Sequence, residues 1–519
     1  MANSKSEIRN PKSEHASLGF RISDFGFRQR RQFLADLGMG FTGLVLGTML
    51  YEDGLLQAVA SSAERPCGLP PRVPKAKHVI WLFMMGGVSH LESFDPKPAL
   101  NKYADKTISA TPYEHVLKSP EFGKNFRFFT DKPKADTRIL PLQVGYRQRG
   151  QSGIEVSDWW PHVGGCIDDL AVVRSLWTTD FNHSAQLQMH TGRMVLDGRV
   201  PCLGSWVHYG LGTLNRELPS FVVLGRPPSD FGGGHAAHKA SYLGPAHDGV
   251  PIDVDPRKAM PYLPSNSERS RQQAEFELLG KLNRLAAVEY PNDPALRARV
   301  QAYELAFGMQ TALPEVVRLD EETKETHRLY GLDHEITRPF GQQCLAARRL
   351  VERGVRFIQV YHGGSADNDN GRWDSHQHLR RDHTTLCQEV DQPIAGLLRD
   401  LKRRGLLDST LVVWATEFGR APNVDLRMAG PVDPNFKGTG RDHHIYGFSA
   451  WLAGGGIKGG VVHGKTDELG YHAVENRHYV TDLHATILHQ LGLDARRLEI
   501  PGRRRLDLEV GRPILDIIG

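Results

Sequence analysis

Cysteine is scarce. There are five in 519 residues (Cys67, Cys166, Cys202, Cys344 and Cys387), unevenly spaced and with no Cys-x-x-Cys. That excludes a small disulfide-framed scaffold and a zinc ribbon, and leaves room for one optional disulfide without choosing its pair. A surplus of one charge is lacking as well. The 64 Lys and Arg against 60 Asp and Glu leave a formal charge of +4. No basic stripe with interleaved aromatics occurs, so no nucleic-acid partner is expected. Internal repeats and low-complexity tracts are missing too. What is plentiful is apolar side chain, 40% of the chain, enough for a sizeable core. Histidine is also plentiful, 24 residues that gather beside aspartates in the C-terminal half.

Residues 28–34 read Arg-Gln-Arg-Arg-Gln-Phe-Leu and lead into a Gly-rich apolar stretch from Leu37 to Leu50. An arginine pair followed by Phe-Leu resembles a twin-arginine export signal. The apolar run is too short for a comfortable membrane span, and Ala58-Val59-Ala60 and Ser61-Ser62-Ala63 suit cleavage. The expectation is a signal region over 1–65, a partner in the twin-arginine export machinery, and a periplasmic or extracellular protein that is not transmembrane when mature.

Beyond Pro-rich 66–74, continuous apolar runs recur: 78–85, 170–176, 220–224, 355–361, 409–415 and 448–454. Such runs fit strands buried on both faces. Helix-period segments fall between them at 268–287, 293–310, 337–353, 377–404 and 479–491. The alternation predicts an α/β fold, a doubly wound, mostly parallel sheet with helices on both faces. Residues 75–519 read as one domain, with a Gly/Pro/His-rich insertion at 225–266 expected as a long loop and a second such loop at 422–442.

In open α/β sheets ligands bind beyond the C-terminal strand ends, and here those ends run into polar clusters. They are Gly86-Gly87-Val88-Ser89-His90 with Asp95, Asp180-Phe181-Asn182-His183-Ser184, and Trp373-Asp374-Ser375-His376-Gln377-His378. Thr416-Glu417-Phe418-Gly419-Arg420 and Gly440-Arg441-Asp442-His443-His444 complete the set. Asp374 and His378 are four apart, so on a helix start they share a face and can close on one cation. His376 lies off that face. A carboxylate such as Glu417 just after a strand also fits a buried ion pair with Arg420 or Arg441. Of His443 and His444, only one can point into a given site.

Asp-x-x-x-His at 374 and 378, then Thr-Glu-Phe-Gly at 416–419, then the late histidines before AWLAGGGIKGG resemble the alkaline-phosphatase superfamily. Asn182 to Arg193 resembles the sulfatase nucleophile helix, and YVTDLHATILHQLGLD at 479–494 resembles the closing helix of sulfatases. More closely, GGVSHLESFDPKP, HSAQLQMHTG, WDSHQH, ATEFGR and GRDHH resemble a bacterial family of unknown function, DUF1501, over roughly 75–500.

The resemblance implies a metal-dependent hydrolase of phosphate or sulfate esters, with a small anionic ester or a sulfated or phosphorylated glycan as ligand. Asp374, His378 and His443 or His444, His444 preferred, would hold a divalent metal, zinc or calcium. Glu417 would bind a second ion or act as a base, Ser184 or a water would attack, and Arg420 or Arg441 would hold anionic oxygens. The sequence departs from the superfamily where Phe418 replaces a metal-binding histidine and Asn182 stands at the nucleophile position. A one-ion, water-based scheme fits these departures better than a two-ion covalent one. The competing expectation is a non-catalytic relative that binds an anionic glycan or an envelope partner on the same edge.

Overall fold

The computed structural model describes residues 73–118, 137–228, 232–255, 266–289, 294–363, 373–425, 440–500, 502–503 and 507–519. The chain divides into two units, 1–56 with 262–279, and 57–261 with 280–519. Of the first, only the N-terminal part of the helix Asn266–Glu289 is described. The expected export signal, with Arg28, Arg30 and Arg31, lies outside the described residues, as does most of the 422–442 loop.

The second unit is built on a nine-stranded sheet. Its strands are β1 His78–Met84, β2 Leu170–Trp177, β3 Phe221–Leu224, β4 Val250–Ile252, β5 Phe357–His362, β6 Thr410–Ala415, β7 Phe448–Ala453, β8 Val461–His463 and β9 His478–Tyr479. The order is β8-β2-β7-β6-β1-β5-β3-β4, with β9 also paired to β2. β7 runs antiparallel to both its neighbours. Every other pairing is parallel. The sheet is therefore mixed but mostly parallel. All six long apolar runs became its strands.

Strand β1 is buried at every residue, HVIWLFM, which explains its continuous apolarity. One alternate set, Val79, Trp81 and Phe83, packs with Phe357, Leu411 and Val413 against Leu203 and Trp206 of the helix Leu203–Leu211. Val480, Leu483 and Ile487 of the helix Val480–Gln490 close the same core. The other set, Ile80, Leu82, Ile358, Val360 and Val412, is also sealed from solvent. On the segments between strands, the helix Arg338–Glu352 contacts β5 and packs on the long helix Leu379–Arg403. Each such fully buried aliphatic side chain contributes about 1.5–3 kcal/mol relative to exposure.

Two expectations are corrected. The insertion at 225–266 is not loop throughout, because Val250–Ile252 pairs with β3 and forms the sheet's edge. The helix expected from 377 starts at Leu379, with His378 as its cap residue. That shift matters for the site. Cys166, Cys202, Cys344 and Cys387 are buried and free. No helix among the described residues is long and apolar enough to cross a membrane.

Candidate metal centre

β1, β5 and β6 all end at one edge, and β2 runs the same way. β1 turns out through Gly86 and Gly87, both at positive φ, 121° and 88°. A Cβ on Gly86 would lie 2.6 Å from Trp373 N and 2.7 Å from Asp374 N, and one on Gly87 would strike the Phe418 ring at 2.5 Å. The glycine pair thus lets β1 press directly against the segments carrying Asp374 and Phe418. Glycine recurs at 440, where a Cβ would meet the His376 carbonyl carbon at 2.0 Å.

Asp374 is the hub. Its Oδ1 lies 2.9 Å from His376 Nε2 and 3.1 Å from His443 Nε2, and its Oδ2 lies 2.9 Å from His183 Nε2. The Nε2 atoms of His376 and His443 are 3.1 Å apart. Every one of the three imidazoles turns its other nitrogen to an oxygen. His183 Nδ1 is 3.1 Å from Glu417 Oε1, His376 Nδ1 is 2.6 Å from Asp425 Oδ2, and His443 Nδ1 is 2.8 Å from the Phe181 carbonyl. A carbonyl can only accept, so His443 carries its proton on Nδ1 and aims an Nε2 lone pair at the carboxylate.

Electrostatics set the protonation of the rest. Burial opposes charge on His183, but Asp374 and Glu417 outweigh it and hold the ring at about 9. His376 is raised in the same way: burial opposes charge and Asp374 and Asp425 favour it. His443 is held well below its ordinary value by burial. Burial opposes ionisation of Asp374, yet Arg420 and the three histidines keep it strongly ionised.

The donor set fits a divalent metal. Three imidazole Nε2 atoms and a carboxylate converge, each imidazole backed through Nδ1 by an oxygen, the arrangement that orients metal-ligating histidines. Zinc bonds of about 2.0–2.1 Å place tetrahedral ligands about 3.3 Å apart, so Asp374 Oδ1, His376 Nε2 and His443 Nε2, 2.9–3.1 Å from one another, need to part by only a few tenths of an ångström. A nitrogen-rich set suits zinc or a similar transition ion, whereas calcium takes oxygen ligands. A proton and a metal compete for the same lone pairs. The groups His183–Asp374–His443 and His376–Asp442–His443 each lie within ligand reach.

The expected ligands are thus only partly brought together. Asp374 and His443 meet. His378 is exposed at the helix start and His444, on the opposite face of its strand, bonds the Tyr471 carbonyl. Burial holds His444 down at about 3. The physical reason for the first correction is that 373–378 is not helical. There Asp374 and His376, two apart in a non-helical segment, converge, while residues four apart do not.

Glu417 is no ligand of the hub. It is fully buried, and its Oε1 accepts from Gly86 N at 2.8 Å and Gln186 Nε2 at 2.9 Å besides facing His183. It pairs with neither arginine. Arg420 points its guanidinium into the site but spends it there: Nε donates to Gly87 O, Nη1 to Arg441 O, and Nη2 to Gly86 O, Trp373 O and Asp374 Oδ1. Arg441 pairs instead with buried Glu92 at 2.7 Å and donates to the carbonyls of Leu140, Pro141, Ala421 and Pro422. Asp95 pairs with Lys97 and Arg174. Ser184, next to His183, donates its hydroxyl to Asp180 Oδ2 at 2.6 Å. Phe418 lies against His443, ring centres 4.4 Å apart and tilted by 35°, and walls the cluster.

His183 and His376 are the ligand candidates that the sequence pattern did not single out. A non-helical spacing for Asp-Ser-His, and a helix register starting at Leu379, were the signals available.

The family model described as "Protein of unknown function (DUF1501)" matches residues 76–518. The chain belongs to the DUF1501 family. No curated protein matches this DUF1501 sequence. Among solved structures it is similar to the lipoteichoic acid synthase LtaP from Listeria monocytogenes at 8% identity, covering 87% of this chain and 79% of that one, TM-score 0.34. It is similar to the PsFucS1 sulfatase from Pseudoalteromonas sp. at 12% identity, covering 82% and 68%, TM-score 0.32. The phosphonate monoester hydrolase SpPMH from Silicibacter pomeroyi shares 14% identity over 69% and 71%, TM-score 0.32. Likeness at these scores carries no argument about the DUF1501 site, which rests on its own geometry.

Proposed function

We propose that this chain is a metal-dependent hydrolase of phosphate or sulfate esters, with one divalent ion, zinc by donor chemistry, held by His183, Asp374, His376 and His443. The observation that carries the reading is the His443 lone pair, fixed by the Phe181 carbonyl and directed at the Asp374 carboxylate 3.1 Å away. Arg420 and His376 offset the charge of that carboxylate, and an ion bound through the His443 lone pair would take the place of the His376 proton.

An ion there supplies Lewis acidity to an ester oxygen and to an attacking water. The chain's own residues do the rest. Asp374 and the three imidazoles set the position of the ion. Glu417, Asp425 and the Phe181 carbonyl hold the rings in the tautomer that presents Nε2. Phe418 keeps bulk water off the His443 face. Asp180 Oδ2 accepts the Ser184 hydroxyl hydrogen bond and would be the base for it if Ser184 Oγ, rather than a water, attacks.

The other reading is a non-catalytic protein that binds an anionic glycan or envelope partner, and under either reading Arg420 and Arg441 have their donors engaged by the protein. Neither is free to clamp substrate oxygens. We place the protein outside the cytoplasm, residues 1–65 serving as a twin-arginine signal ahead of one domain over 75–519. The arginine pair at 30 and 31 supports this, and Arg30→Lys with Arg31→Lys should retain precursor in the cytoplasm.

The test is metal analysis of protein purified after native export, with a panel of aryl sulfate and aryl phosphate esters. The proposal expects one equivalent of transition metal and ester cleavage, both lost in Asp374→Ala. Metal without turnover on any ester class supports the binding reading; no stoichiometric metal overturns the centre itself.

A further inference from the structure

A second pair of imidazoles meets nitrogen to nitrogen on another part of the sheet. β8 ends at His463 and β9 begins at His478, and both pair with β2, His463 opposite Val173 and His478 opposite Leu176. Val173 and Leu176 stand opposite Ala450 and Phe448 on β7, so β2 carries one extra residue between them. That bulge returns positions three apart to one face, and Val173 and Leu176 do share one core cluster. The two histidines opposite them meet with ring centres 5.0 Å apart and Nε2 atoms 2.9 Å apart.

Both Nδ1 atoms face carboxylates. His478 Nδ1 lies 3.0 Å from Asp482 Oδ2 and His463 Nδ1 lies 3.6 Å from Asp516 Oδ2. Asp482 is itself fixed, since its other oxygen accepts the Arg512 N–H at 2.8 Å. A neutral hydrogen bond between the rings requires one Nε2 to carry the proton. That ring then turns an Nδ1 lone pair toward its own carboxylate. An extra proton on one ring, or a cation between the two Nε2 atoms, removes the conflict; with a cation both lone pairs point inward, and His478 Nδ1–H donates to Asp482.

We propose that His463 and His478 form a second, two-imidazole site for a borderline divalent ion such as zinc. The side chains are 8% and 17% exposed, so water can complete the coordination. The Nε2 atoms have to part only from 2.9 Å to about 3.3 Å for zinc. A bound ion clips β8 to β9, two short strands that share β2 but have no ladder with one another. The site is independent of the Asp374 centre.

The experiment is zinc stoichiometry of the full chain, stripped with chelator, dialysed against zinc and assayed for metal, with circular dichroism to confirm folding. The expected values are two equivalents for wild type, one for Asp374→Ala, one for His478→Gln and none for the double variant. His463→Gln replaces His478→Gln if the latter does not fold. Zinc that survives Asp374→Ala and disappears with His478→Gln supports this site even where the Asp374 centre fails. Asp374→Ala carrying no zinc, or carrying as much with His478→Gln as without it, overturns the proposal.

Discussion

Two buried arginines stand at the same edge of the sheet and sit in opposite kinds of network. Arg441 and Glu92 are both fully buried, and the carboxylate also accepts the Ser89 hydroxyl, while spare guanidinium donors reach four carbonyls. Nothing there is left over. Arg420 is equally buried, but the carboxylate it touches, Asp374, is 24% exposed and ringed by three imidazole nitrogens. A saturated network braces strand ends. A network with acceptors facing acceptors asks for a cation. Residue type does not separate the two, because both contain Arg, carboxylate and strand-end glycines; the direction of the lone pairs does.

Asp374→Ala separates them most sharply. It removes the hub, so we expect metal affinity to fall by more than roughly 100-fold, read by dialysis and metal assay, together with a stability loss because Arg420 keeps its carbonyl partners but loses its counter-charge. Glu92→Gln should do the reverse. It leaves Arg441 buried without its counter-charge, a loss of about 3–5 kcal/mol in urea unfolding, with the metal stoichiometry retained. Metal loss in Glu92→Gln, or metal retained in Asp374→Ala, would erase the distinction.

A third buried carboxylate gives a reference outside both networks. Asp391, on the helix Leu379–Arg403, accepts the backbone N–H groups of His162 and Val163, each at 2.7 Å. Burial raises it from 3.8 to about 6. The native state therefore holds the extra proton between about pH 4 and 6, so the contribution of Asp391 to stability is full below pH 4 and is lost as pH rises through 6, by about 3 kcal/mol at most. Asp391→Asn should remove this component, seen as a flatter profile of unfolding free energy against pH. The smallest effect is expected of Glu417→Gln, which keeps the shape but weakens the hold on His183. Metal affinity should drop about 10–100-fold with little change in stability.

Much of this was legible in the sequence. Apolar runs such as 78–85 and 409–415 gave central strands because a strand covered on both faces must be apolar throughout. The polar clusters at 86–90, 180–184, 373–378 and 416–420 marked the edge where the chain turns. Legibility stopped at side-chain direction. His378 looked like the partner of Asp374 only while a helix was assumed to begin there. In the non-helical segment that precedes Leu379, His376 takes that place. His443 and His444 alternate across a strand, and which one faces Asp374 depends on its pairing with Gly419–Val424. His183 was hidden in a segment read for its hydroxyl. The role of Arg441 could not be seen at all without Glu92, 349 residues away.

The most direct measurement is X-ray absorption at the zinc edge of His478→Gln protein loaded with one equivalent of zinc, which confines the ion to the Asp374 centre. The account predicts nitrogen and oxygen ligands at about 2.0–2.1 Å with the multiple-scattering pattern of three imidazoles, reduced to two by His183→Gln. A spectrum with one imidazole or none, or one unchanged by His183→Gln, would contradict it.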